Sequence, residues 1–179
     1  MRLLALLIPT VVLAACDGPY RDLEASFRSP QAAPAPQIPV DHIVLTSTKH
    51  VGAHSFNGVM SVKFPPAAVE LEPTFPFGLG MSTVLIPAEM IAGCSKTCFG
   101  DGVWDADLLI ASTGTEISFR NTKQVVEWCW SNRIPMISGK DRREWLYGGG
   151  KLPNRSKFAE QLSSRELYDR QAKQSCLGY

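Results

Sequence analysis

The sequence predicts an α+β fold: a small, mostly antiparallel sheet with two or three helices, braced by disulfides. Three observations carry that prediction. Short β-branched segments recur between residues 42 and 119, punctuated by Asn57-Gly58, Pro65-Pro66 and Thr113-Gly114, which are turn and breaker signals. Helix signals gather after residue 121, where Asn121-Thr122-Lys123-Gln124 resembles a capping box. Four cysteines, Cys94, Cys98, Cys129 and Cys176, follow the first strands, an even number that reads as two disulfides with three connectivities open.

Residues 1–15 comprise Met1, Arg2, a mostly apolar run from Leu3 to Leu13 and two small residues. One basic residue, roughly ten apolar ones and a small-residue exit form the layout of a secretory signal peptide. The run is too short to span a bilayer, which takes about 20 helical residues. Its exit, Leu13-Ala14-Ala15-Cys16, resembles the lipobox of bacterial lipoproteins. The resemblance covers sixteen residues and implies that Cys16 becomes the acylated N-terminus of the mature chain. Two or three acyl chains, each contributing about 0.8 kcal/mol per buried CH₂, would hold it to a membrane facing the periplasm. Asp17 resembles the retention signal of enterobacterial lipoproteins, which favours the inner membrane, with the outer membrane as the alternative.

Residues 16–40 read as a lipid-anchored, Pro-rich tether, with Pro19, Pro30, Pro34, Pro36 and Pro39 along it. Such composition cannot bury enough apolar surface to order itself, and prolines bias it to an extended form rising about 3.1 Å per residue. Residues 41–179 then make one globular domain. His42 to Thr48 is a strand, and Val51 to Phe56 and Val59 to Phe64 are a predicted hairpin across Asn57-Gly58. Pro73 to Gly80 is an irregular aromatic loop, and Ser82 to Ile86 is another strand. Pro87-Ala88-Glu89 opens a short helix, because proline at the first helical position gives up no needed hydrogen bond. Asp107 to Ala111 and Thr115 to Phe119 are strands around the Thr113-Gly114 turn. The next helix carries Val125, Trp128 and Cys129 on one face, and Ile134 to Ser138 is a short strand. Gly148-Gly149-Gly150 breaks the chain before a helical stretch from Ser156 to Gln174, which restarts at Ser163-Ser164-Arg165-Glu166.

Charge excludes some partners. Arg2 leaves with the first fifteen residues, so 17 basic face 17 acidic side chains, and no net field draws the chain to nucleic acid. Cys94-Ser95-Lys96-Thr97-Cys98, placed at the end of a helix, would bring two sulfurs together. A structural Cys94–Cys98 disulfide leaves Cys129 for Cys176. The alternative is a thiol-redox or Cu(I) site, using both cysteines with His42, His50 or His54. Periplasmic copper-delivery proteins of the thioredoxin fold carry a similar cysteine pair. Their flanking prolines are missing here, and all three histidines precede the cysteines. His50 and His54 have metal spacing only on a helix, and Gly52 opposes that. Asp105 and Asp107 would share a strand face near Asp101 and Trp104, a pattern open to glycan chemistry. Arg142, Arg143, Trp145 and Lys151 lie in a basic, aromatic stretch that would dock an anionic partner.

No complete nucleophile or phosphate-loop motif occurs in the sequence. The expectation is a non-enzymatic envelope lipoprotein with no cofactor, which binds an envelope protein or peptidoglycan. A redox or copper protein and a cell-wall enzyme are the alternatives.

Overall fold

A computed structural model describes residues 18–30, 34–35, 37–38, 40, 42–76, 78, 80–99, 103–120, 123–150 and 158–174. Cys16, Asp17, Asp101, Lys151 and Cys176 lie outside them, as do the signal segment and Asn121-Thr122. In chain order the elements are α1 (Pro19–Phe27), β1 (Gln37–Ile38), β2 (His42–Ser47), β3 (Ala53–Asn57), β4 (Met60–Lys63), β5 (Ala68–Pro73) and β6 (Val84–Pro87). A 3-10 turn (Ala88–Met90) leads into β7 (Ile91–Cys98), β8 (Trp104–Ile110), β9 (Thr115–Arg120), α2 (Lys123–Ser131) and α3 (Gly139–Tyr147). A second 3-10 turn (Gln161–Ser163) precedes α4 (Arg165–Gln174).

The strands form two antiparallel sheets, a four-stranded one ordered β1-β4-β5-β6 and a five-stranded one ordered β3-β2-β9-β8-β7. Alternation sets the inner face of the larger sheet. Ile43 and Leu45 of β2, Ala106, Leu108 and Ile110 of β8, and Ile117 and Phe119 of β9 are buried in the main core. Val62, Val69, Leu71, Val84 and Ile86 reach the same core from the smaller sheet, and Trp128, Cys129 and Tyr168 reach it from α2 and α4. Trp128 donates its indole N–H to the Pro65 carbonyl at 2.8 Å. A second cluster of Leu109, Ile137, Trp145 and Phe158 fills the space beneath α3. The architecture is thus the expected disulfide-braced α+β fold, with four α-helices among the described residues against the two or three expected.

Several details differ from expectation. The tether boundary fails at Pro19–Phe27, which is a helix with Tyr20, Leu23 and Glu24 buried. Tyr20 donates its hydroxyl to the Ser82 carbonyl at 2.6 Å, and Glu24 accepts the Ser82 N–H at 2.7 Å. Arg28 then forms a bridge to Val84. Tyr20, Leu23 and Phe27, spaced three and four apart, give these nine residues an apolar face that composition alone conceals. Folded structure therefore begins before residue 41.

Asn57-Gly58 is a crossing between sheets and not a hairpin: β3 pairs with β2, whereas β4 pairs with β1 and β5. The real hairpin turn is residues 48–52, where Gly52 holds φ 96°. The helix expected after Pro87 is a single 3-10 turn, because β-pairing with β8 takes over at Ile91. Ile134 to Ser138 reduces to one parallel bridge, Met136 to Cys94. Gly93 permits that approach, since any Cβ there would overlap the Ile137 side chain. By contrast, Thr113-Gly114 turns β8 into β9 as the sequence predicts.

Candidate anion-binding cleft

Cys94 is bonded to Cys129, with the two Cα atoms 6.5 Å apart. This corrects both expected pairings, Cys94 with Cys98 and Cys129 with Cys176. On a strand, residues four apart are separated by about 13 Å, beyond the roughly 7 Å limit for a disulfide. Cys98 is itself disulfide-bonded, so neither cysteine of the proposed redox pair offers a thiol. The residues of the alternative metal site are scattered too. His50 and His54 belong to the β2–β3 hairpin, and Cys94 and Cys98 to β7, at the opposite edge of the sheet. His50 Nε2 pairs with Asp22 at 3.0 Å, while the His54 ring lies against Gly18. Among the described residues no three metal-ligating side chains converge.

The basic stretch is also divided by α3. Arg142 and Trp145 turn inward: Trp145 is fully buried and is no surface contact, and Arg142 is mostly buried against Asp107. Arg143 stays exposed. Residues three apart from Arg142 to Trp145 share one helix face, and here that face covers the sheet. Arg142 Nε lies 3.2 Å from Asp107, and Arg142 grips Glu116 by two hydrogen bonds of 2.6 and 2.5 Å. Asp107 also accepts the hydroxyls of Ser95 and Thr97, at 2.8 and 2.9 Å. Burial, followed by the charge of Asp107, pushes Glu116 up to about 7 despite Arg142. Burial likewise raises Asp107, with the Arg142 charge and neighbouring hydroxyls pulling the other way. Asp105 and Asp107 do share a face, as expected, but Asp107 and Glu116 are sealed from any glycan.

A cleft rich in basic side chains lies at the β7 edge. Lys96 of β7, Trp104 of β8, Lys123 and Glu127 of α2, and Arg165 and Lys173 of α4 line a cleft of about 260 Å³. Lys96 Nζ sits 4.3 Å from the centre of the Trp104 ring. Burial and then the charge of Lys123 hold the Lys96 ammonium below its ordinary pKa. Arg165 bridges both local carboxylates, Glu127 at 2.7 Å and Asp169 at 2.9 Å, and its single charge offsets one of their two. The Arg165 pair in turn holds Glu127 below the ordinary carboxylate range. Lys96, Lys123 and Lys173 make no carboxylate pair among the described residues, which leaves the cleft cationic.

The Cys94–Cys129 bond ties β7 to α2 and so fixes the spacing between the Lys96 and Lys123 walls. Sequence reasoning noticed Lys96 only as a neighbour of two cysteines. Its partners in the cleft are drawn from three other elements, β8, α2 and α4, so no local motif announces them. Compared with known proteins, the chain matches no protein-family model, and neither a curated protein nor a solved structure is detectably similar to it.

Proposed function

We propose that this protein is a lipid-anchored, non-enzymatic binding component of the bacterial cell envelope, acylated at Cys16 and facing the periplasm. Its partner is an anionic surface, either an acidic protein face or the carboxylate-bearing peptides of peptidoglycan. The observation that carries the binding role is the β7-edge cleft, where Lys96, Lys123 and Lys173 meet Trp104 and, with Arg165, outnumber the carboxylates of Glu127 and Asp169. The Leu13-Ala14-Ala15-Cys16 sequence supports the anchor, and Asp17 favours the inner membrane. The Cys94–Cys129 bond is in keeping with an oxidising compartment. No helix among the described residues is long and apolar enough to cross a membrane.

Carbodiimide cross-linking in intact cells tests the role, because it joins lysine amines to carboxylates in contact with them. The expected products link Lys96, Lys123 or Lys173 to one protein or to peptidoglycan peptides. The triple variant Lys96→Gln, Lys123→Gln, Lys173→Gln lacks the reactive amines, so its capture is read without cross-linker, by co-sedimentation with isolated peptidoglycan and by binding to the cross-linked protein once purified. It should be about tenfold weaker, at under 1 kcal/mol for each pair. Equal capture by the variant would remove the cleft from the proposal.

A further inference from the structure

We infer that one end of the domain lies flat on the anionic membrane surface that holds Cys16. That end comprises the first turn of α1, the β2–β3 loop and the C-terminal end of α3. The inference rests on the lipid-anchor reading and adds an orientation to it. The start of α1 is fixed to the β2–β3 hairpin twice. Gly18, at φ 103°, packs on the His54 ring, where a Cβ would come within 3.1 Å of Nε2. Asp22, one turn further, pairs with His50 at 3.0 Å.

Cys16 precedes Gly18 by two residues, a reach of about 7 Å even when fully extended. An acylated Cys16 therefore brings this end of the domain to the headgroups. No long tether intervenes to let it tumble.

The surface found there suits that position. Val51, at the tip of the β2–β3 loop, is 102% exposed, and Tyr147, at the end of α3, is 85% exposed. Both line one open groove of about 710 Å³ between the loop and α3. Lys49 and Arg143 are exposed beside them. A valine that meets only solvent costs free energy in water, while tyrosine and basic side chains settle at an anionic bilayer interface. The lysine cleft sits at the other edge of the five-stranded sheet, four strand spacings or about 19 Å away. In this orientation it points off the membrane, open to a periplasmic partner.

Hydrogen exchange on the full chain, purified from membranes and placed in phosphatidylcholine–phosphatidylglycerol vesicles, tests the inference. Intact mass first establishes whether Cys16 is acylated. With acylation present, residues 48–53 and 144–150 should exchange about tenfold more slowly on vesicles than in detergent, the scale of burying one valine. Val51→Asp, at a position with no packing to lose, should return the loop to its detergent rate while the protein stays anchored. Unchanged exchange on vesicles would overturn the orientation and leave the anchor standing. Protection seen in native membranes but absent on vesicles would overturn it as well, assigning this face to a protein. Should Cys16 carry no acyl chain, the anchor reading fails, and the same vesicles are mixed with the unacylated chain. Sedimentation with vesicles that Val51→Asp abolishes would then uphold the surface, and no sedimentation would overturn it.

Discussion

Replacing Arg142 by methionine keeps an unbranched side chain on α3 and removes the cation between Asp107 and Glu116. Both carboxylates are 0% exposed, and Arg142 supplies the two hydrogen bonds to Glu116 and the 3.2 Å contact to Asp107. Taking one partner from a buried ionic group costs about 3–5 kcal/mol, because the remaining charges have neither water nor a counter-ion. A domain of this size carries roughly 5–15 kcal/mol of stability, so the variant should fold while unfolding much more readily. The cost depends on pH. Glu116 titrates in the folded protein at about 7, above its ordinary 4.5, so protons bind the folded state more tightly. Its contribution to stability is complete below the unfolded value and lost as pH rises through the folded one. Loss of Arg142 raises both carboxyls further, and acid neutralises them. The penalty should be full near pH 7.5 and fall to about 1–2 kcal/mol near pH 5. Urea unfolding followed by tryptophan fluorescence, with disulfides intact, reads both values. A penalty below about 1 kcal/mol at the higher pH, or one equal at both, would refute a buried role for Arg142.

Three further outcomes are expected. Cys94→Ala with Cys129→Ala opens a link of sequence separation 35 and should cost about 4 kcal/mol by loop entropy, read as a lower urea midpoint. The same variant should loosen the lysine cleft, seen as faster hydrogen exchange along α2, and unchanged exchange would sever the disulfide from the site. Burial opposes the charged form of Glu24, but hydrogen bonds from Ser82 and Arg21 hold it below the ordinary carboxylate range. Its contribution is present above the unfolded pKa and lost as pH falls through the folded one. Glu24→Gln should therefore cost about 2 kcal/mol near neutrality and least in acid, with α1 exchanging first. Trp145→Ala should cost about 3–5 kcal/mol, since the ring is fully buried beneath α3, and a scan showing less than 1 would contradict that packing.

Legibility in the sequence followed range. The β8–β9 hairpin was readable because Thr113-Gly114 and both strands are contiguous, and Val125, Trp128 and Cys129 mark one helix face without help from elsewhere. Asn57-Gly58 misled because the same turn residues serve equally well where the chain crosses between sheets, and only the pairing of β4 with β5 decides. The Cys94–Cys98 spacing suggested a helix end until β8 claimed the segment through seven register pairs. Helix α1 was hidden by the proline-rich residues after it, although Tyr20, Leu23 and Phe27 carried its periodicity. The cleft was beyond reach, because Lys96, Lys123 and Lys173 meet only after three elements pack. Arg142 and Trp145 looked like surface chemistry for a related reason: charge and aromatic content do not reveal which face of α3 turns inward.

Intact mass of the protein extracted from membranes, measured with and without reduction before alkylation, tests the central claim most directly. The expected mass begins at Cys16, carries two or three acyl chains, and shows all four remaining cysteines blocked until reduction. An unmodified Cys16, or cysteines that alkylate without reduction, would contradict a lipid-anchored, disulfide-braced binding domain.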